Sequence, residues 1–133
     1  MIVTITPLGG QTLLLPEDLT WVDQFQYSPV AQTAEFAVEG AVIVDAATKT
    51  SGREITLQAG DNYAWFTLSQ INALRNMAYT PGKIMTLTIG QASFKVVFRH
   101  NDPPAIDVVP LVELSEYANG DYFFGTIKFL EVA

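Results

Sequence analysis

Apolar and polar residues alternate with a period of two along most of this 133-residue chain, and among regular structures only a β-strand sends successive side chains to opposite faces in that way. From Thr33 to Glu39, Ala34, Phe36 and Val38 share one face while Thr33, Glu35, Ala37 and Glu39 share the other. From Leu19 to Tyr27 the odd positions Leu19, Trp21, Phe25 and Tyr27 form an apolar face with Asp23 as a polar intruder, which predicts a half-buried strand. Shorter runs over Ile2 to Thr6, Ala41 to Asp45 and Arg53 to Gln58 obey the same rule, the last with Ile55 and Leu57 inward. The turn formers Gly9-Gly10, Gly40, Ser51-Gly52 and Gly60-Asp61 separate these runs.

One segment breaks the period. Leu68, Ile71, Leu74 and Met77 or Ala78 make a stripe at helical spacing, which predicts an α-helix over about residues 67–79. Thr67 and Gln70 have the spacing of a capping box, Phe66 and Ile71 that of a hydrophobic staple, and Pro81-Gly82 ends the element. So short a helix must lie on a sheet to persist. Next comes a hairpin: a two-residue type II′ turn at Gly90-Gln91 pairs Ile89 with Ala92, Leu87 with Phe94 and Met85 with Val96, every inward pair apolar. The final segment, Tyr122 to Val132, is apolar on both faces, as expected of a central strand or one bulged near Gly125. Residues 28–34 and 99–107 read as irregular loops. No repeat or linker divides the chain, so the expected fold is a single mainly-β domain over residues 1–133, an antiparallel β-sandwich or split barrel with one flanking helix.

Composition removes whole classes of chemistry. Seven Lys and Arg against fourteen Asp and Glu give a net charge of −7, which repels a phosphate backbone, so specific nucleic-acid binding is not expected. With no cysteine there is no disulfide scaffold, thiol nucleophile or Cys-type metal site. The first cation is Lys49 and the apolar runs are short, so neither a secretory leader nor membrane insertion is expected and synthesis is assigned to the cytoplasm. His100, the single histidine, continues the inner phase of Phe94, Val96 and Phe98 and precedes Asn101-Asp102. A ring packed under Pro103-Pro104 with one hydrogen bond explains it better than a catalytic His/Asp pair or a metal site. No serine lies in a Gly-x-Ser-x-Gly elbow and no Gly-rich phosphate cradle occurs, so no catalytic residue, metal or cofactor is assigned and the chain is not expected to be an enzyme.

Aromatic residues offer an alternative. Trp21, Tyr27, Tyr63, Trp65, Tyr79, Tyr117 and Tyr122 could stack on sugar rings, with Asp61-Asn62 and Asn101-Asp102 binding hydroxyls, as in a soluble carbohydrate-binding module. Against this, Trp21 and Tyr27 are in core phase, Tyr79 falls where it would anchor the last helical turn, and Trp65 where it would cover the helix packing.

From Ser51-Gly52-Arg53-Glu54-Ile55-Thr56-Leu57 onward the order of elements becomes distinctive. A Gly-Arg-x-Ile-Thr-Leu strand, a helix, a hairpin carrying Thr86-Leu87-Thr88 and Phe94-x-Val96-x-Phe98-Arg99, and the terminal strand from Tyr122 to Val132 together resemble small tail proteins of long-tailed bacteriophages and prophages. The likeness is greatest to the distal-tail and baseplate-hub group, whose core domains are similar to the tail-tube fold. It covers roughly residues 50–133. The resemblance implies a structural virion protein of the tail tip, forming a homo-oligomeric ring that joins the tail tube to the hub with DNA passing through the middle. A hexamer is the family's expectation, with a trimer the alternative near the hub, and other tube and hub proteins are the implied partners. Many distal-tail proteins carry a second, carbohydrate-module-like domain with no counterpart in this sequence, so a receptor-binding role is not carried over.

The residues themselves agree with assembly. Only 16% are charged, against about 25% in an average soluble protein, and mean hydropathy is +0.23, as suits large permanent interfaces. Sheet edges near Ala34, Phe36 and Val38 and near Phe94 to Phe98 are candidate subunit contacts, as is the loop Asn101, Asp102, Pro103, Pro104 continuing to Asp107.

Overall fold

The computed structural model describes residues 2–48 and 52–132; Ser51, half of the expected Ser51-Gly52 turn, lies outside them. The strands are β1 (Val3–Pro7), β2 (Leu13–Leu15), β3 (Thr20–Trp21), β4 (Val30–Phe36), β5 (Val42–Thr48), β6 (Glu54–Gln58) and β7 (Phe66–Thr67). The helix α1 (Leu68–Ala78) follows, then β8 (Met85–Ile89), β9 (Ala92–Phe98), β10 (Ile106–Pro110) and β11 (Tyr122–Glu131). Every pairing is antiparallel. Nine strands form one sheet in the order β2-β1-β8-β9-β11-β6-β3, with β7 and β10 also paired to β11, while among the described residues β4 and β5 pair only with each other. The mainly-β, antiparallel fold with one flanking helix is the one the alternation predicts.

The expected β8–β9 hairpin forms in the expected register, Ile89 opposite Ala92, Leu87 opposite Phe94 and Met85 opposite Val96. Gly90 supplies the positive φ, 61°, that a two-residue loop of this type requires at its first position. Met85, Leu87, Ile89 and Val96 are buried, and the same inward phase runs across the sheet through Val3, Ile5, Ile55, Leu57, Ile127 and Phe129. Helix α1 closes this core with Ile71, Leu74, Met77 and Ala78. Its start is fixed as its sequence implies: the Gln70 amide donates to Thr67 Oγ1 at 3.3 Å and the Thr67 amide to Gln70 Oε1 at 2.9 Å. Gln70 Nε2 also donates to the Leu14 carbonyl at 2.8 Å, which ties the helix to β2.

Strand β11 is central, as its two apolar faces require. One of its edges pairs with β9 and β10, the other with β6 and β7. At Gly125 (φ 151°) the β10 backbone comes so close that a Cβ would overlap the Asp107 carbonyl oxygen. Between β9 and β10 the chain leaves the β11 edge after the Arg99 amide donates to the Lys128 carbonyl and returns where the Lys128 amide donates to Ala105. Residues 99–105 thus form an excursion loop pinned at both ends.

Three expectations are corrected. The strand predicted over Leu19 to Tyr27 is regular only at Thr20–Trp21; the Asp23 carboxylate then accepts from the Thr56 amide at 2.9 Å and the Thr56 hydroxyl at 3.0 Å, bending residues 22–26 into turns and leaving Phe25 exposed. Strand β9, expected to be an edge at Phe94 to Phe98, is internal between β8 and β11. Of the two expected loops, 28–34 is largely strand β4, and 99–107 is irregular only as far as Ala105.

Candidate functional site

The β4–β5 ribbon is the feature that sets this molecule apart from a closed β domain. Its register opposes Phe36 to Val42, Ala34 to Val44, Gln32 to Ala46 and Val30 to Thr48, so these residues share one face. Six of these eight residues are apolar, Gln32 and Thr48 being the exceptions. Ala31, Ala47, Thr33, Asp45, Glu35 and Ile43 make the other face, where two carboxylates sit. The amides and carbonyls of Ala37, Gly40 and Ala41 close the tip. In a chain with this pattern the apolar face should rest on a core. Instead every residue from Ser28 to Thr48 except Ala37 is exposed, with Phe36 at 79% and Val38 at 105%.

Ala34 and Phe36 therefore lie on this face of a free arm, and β5 adds Val42 and Val44 to it, contributors the sequence reading missed; Val38, expected on the same face, lies past the end of β4 in the turn at the tip. The signal was available. Gly40 marks a turn there, and folding Ala41 to Asp45 back about Glu39 places Val42 opposite Phe36.

Asn101, Asp102, Pro103 and Pro104 are exposed in the excursion loop. Asp102 is held there by ion pairs to Lys128 Nζ at 3.5 Å and to Arg99 Nη2 at 3.7 Å. Arg99 is the buried cation of the region, donating to the Phe129 carbonyl at 3.3 Å and to Thr56 Oγ1 at 3.0 Å. It takes the buried place that phase assigns to His100. His100 lies exposed in the turn beyond β9, and its Nε2–H donates to the Ala78 carbonyl at 2.9 Å, capping the end of α1. The single hydrogen bond matches the structural role expected for it; its inner-face position does not.

Pro103 and Pro104 form one wall of a groove of about 490 Å³ whose other wall is α1. Leu68, Ile71, Ile106, Val108 and Phe123 line it, with Arg75, Tyr79, His100 and Tyr117 as its polar margin. Asn101 and Asp102 are not part of the lining, and neither is any arm residue. Tyr79, expected to anchor the last helical turn, is its C-cap and is tied to that turn from the surface: it is 69% exposed and its hydroxyl accepts from Arg75 at 3.1 Å.

The other aromatic residues divide into two groups. Trp21 is half-buried, edge-on to Phe94 at 5.5 Å, with the Arg53 guanidinium 4.6 Å from its ring centre and 5.0 Å from that of Tyr27, so both rings are engaged. Trp65 and Tyr122 instead pack at a tilt, ring centres 5.3 Å apart and planes at 45°, while remaining 39% and 48% exposed. With Asn62, Tyr63 and Asp18 they border a shallow cavity of about 350 Å³. The Trp65 indole N–H is held by the Asp61 carbonyl at 3.2 Å.

Compared with protein-family models, curated proteins and solved structures, the chain matches none. The functional reading therefore rests on the molecule's own geometry and on the resemblance described above.

Proposed function

We propose that this protein is a non-enzymatic structural subunit that assembles with copies of itself into a ring, of the kind that joins the tail tube to the hub at the tip of a long-tailed bacteriophage. The observation that carries this reading is the arm, a seven-residue by seven-residue ribbon with one mainly apolar face and, among the described residues, nothing of its own chain beneath it. A two-stranded ribbon alone in water is marginal at best, and an exposed apolar face this continuous marks a protein interface. The tail-tip assignment, the ring and its hexameric or trimeric count come from the resemblance over the strand, helix, hairpin and terminal strand. The acidic balance of the chain suits a channel that lets DNA pass without holding it.

Light scattering on a sizing column, loaded from low to high micromolar, tests the reading. A species at three or six times 14.6 kDa is expected; a monomer at every concentration would contradict self-assembly of the isolated chain. A second reading, the carbohydrate-binding module, has the exposed Trp65–Tyr122 pair in its favour. Glycan-array binding that Trp65→Ala abolishes would favour it over the ring.

A further inference from the structure

The arm needs an occupant for its apolar face, and of two apolar-lined grooves that carry a cation and no carboxylate among the described residues, one against α1 with Arg75 and one beside Leu8 and Ile84 with Lys95, the first is the larger, about 490 Å³ against about 370 Å³. Resting on the self-assembly reading, we infer that the arm of one copy seats in the groove between α1 and residues 103–108 of the next copy. The arm and the groove are different parts of the surface, so each copy donates once and accepts once. Such a heterologous contact generates a closed ring when its rotation closes.

Charge favours this seat. Between Val30 and Thr48 the chain carries Glu35, Glu39 and Asp45 and no cation, so a surface that receives the arm should carry positive charge; Glu35 and Asp45 lie on the face away from the apolar one, and Glu39, at the tip, is the carboxylate placed to meet the groove margin. The groove has no carboxylate in its lining. Its margin carries Arg75, which among the described residues bonds only the Tyr79 hydroxyl and has no carboxylate partner. The volume, about 490 Å³, is of the size that takes up several side chains, and Phe36, Val38 and Val42 at the arm's end are available to fill it. Apolar contact then supplies the adhesion, while Arg75 facing Glu39 at the arm's tip sets the orientation.

The chain has no cysteine, so engineered thiols report on single contacts. Val38→Cys and Tyr79→Cys both change exposed side chains. The two full-length variants are mixed under mild oxidation, and each is oxidised alone as a control, beside light scattering of the parent. The expected result is that most of the mixture becomes a covalent 38–79 dimer while each variant alone gives little. Predominant 38–38 dimers would overturn the groove assignment and keep self-assembly through the arm. An oligomeric parent with no disulfide species would also overturn the groove and place assembly on another surface. A monomeric parent with no disulfide species would overturn the self-assembly reading as well. As a second measurement, Arg75→Glu should lower the oligomer fraction at fixed concentration at least several-fold, and adding Glu39→Lys should recover part of it. No loss with Arg75→Glu would contradict the proposed pairing.

Discussion

Two hairpins in this protein obey the same alternation and meet opposite fates. In β8–β9 the inward residues Met85, Leu87, Ile89 and Val96 are buried beside the rest of the sheet. In β4–β5 the equivalent face, Ala34, Phe36, Val42 and Val44, is exposed throughout. Local pattern therefore determines that a ribbon forms and which residues share a face. It does not determine whether the covering surface comes from the same chain or another one.

Substitutions can sharpen this contrast. The largest effect is expected at Leu87, fully buried in β8: Leu87→Ala should lower stability by about 2–5 kcal/mol, read as a shifted urea midpoint. Next comes Gly125→Ala, where the added methyl meets the Asp107 carbonyl oxygen; about 1–3 kcal/mol is expected from overpacking alone, and an unchanged midpoint would mean that β10 is free to move away from β11. Thr67→Ala removes the helix cap and should cost about 1 kcal/mol, with the far-ultraviolet spectrum of the native state retained. The smallest effect on the monomer is expected from Phe36→Ser, within about 0.5 kcal/mol of the parent, because the ring touches no core. That same substitution should nevertheless reduce oligomer mass at micromolar concentration. A large loss of monomer stability instead would mean that the arm folds back on its own body.

Much of the body was legible because neighbouring signals agreed. Gly90 dictates the turn, the turn dictates the register, and the register opposes only apolar residues on the inward phase, of which Ala92 beside the turn is exposed. Thr67 and Gln70 mark the helix start in the same way, and two apolar faces mark β11 as central. The failures arise where a distant residue decides. Asp23 sits in an apolar phase and looks like an intruder in a strand, but its partner Thr56 is 33 positions away and bends the chain. Which strands flank β9 is a matter of topology that no local pattern carries. At the end of β9 the strand stops after Phe98, so Arg99 rather than His100 turns inward, where the Phe129 carbonyl and Thr56 hydroxyl can satisfy it.

The candidate site was half legible. Ala34 and Phe36 were recognisable as one face, with Val38 wrongly added to it because the turn begins after Phe36, and Pro103 and Pro104 as part of a stiff surface loop. That the loop forms a groove wall with α1 was not, since Arg75, Tyr79 and Ile106 lie on separate elements brought together only by the sheet. The arm's exposure was hidden because Val30 to Thr48 shows the same alternation that a covered hairpin would.

Hydrogen exchange of the backbone amides of residues 30–48, followed as protein concentration rises, tests the central claim that a second copy covers the arm. The account predicts fast exchange in the dilute monomer and growing protection with concentration, while the amides of β8, β9 and β11 stay protected throughout. Rapid exchange of the arm in material already at oligomeric mass would contradict it.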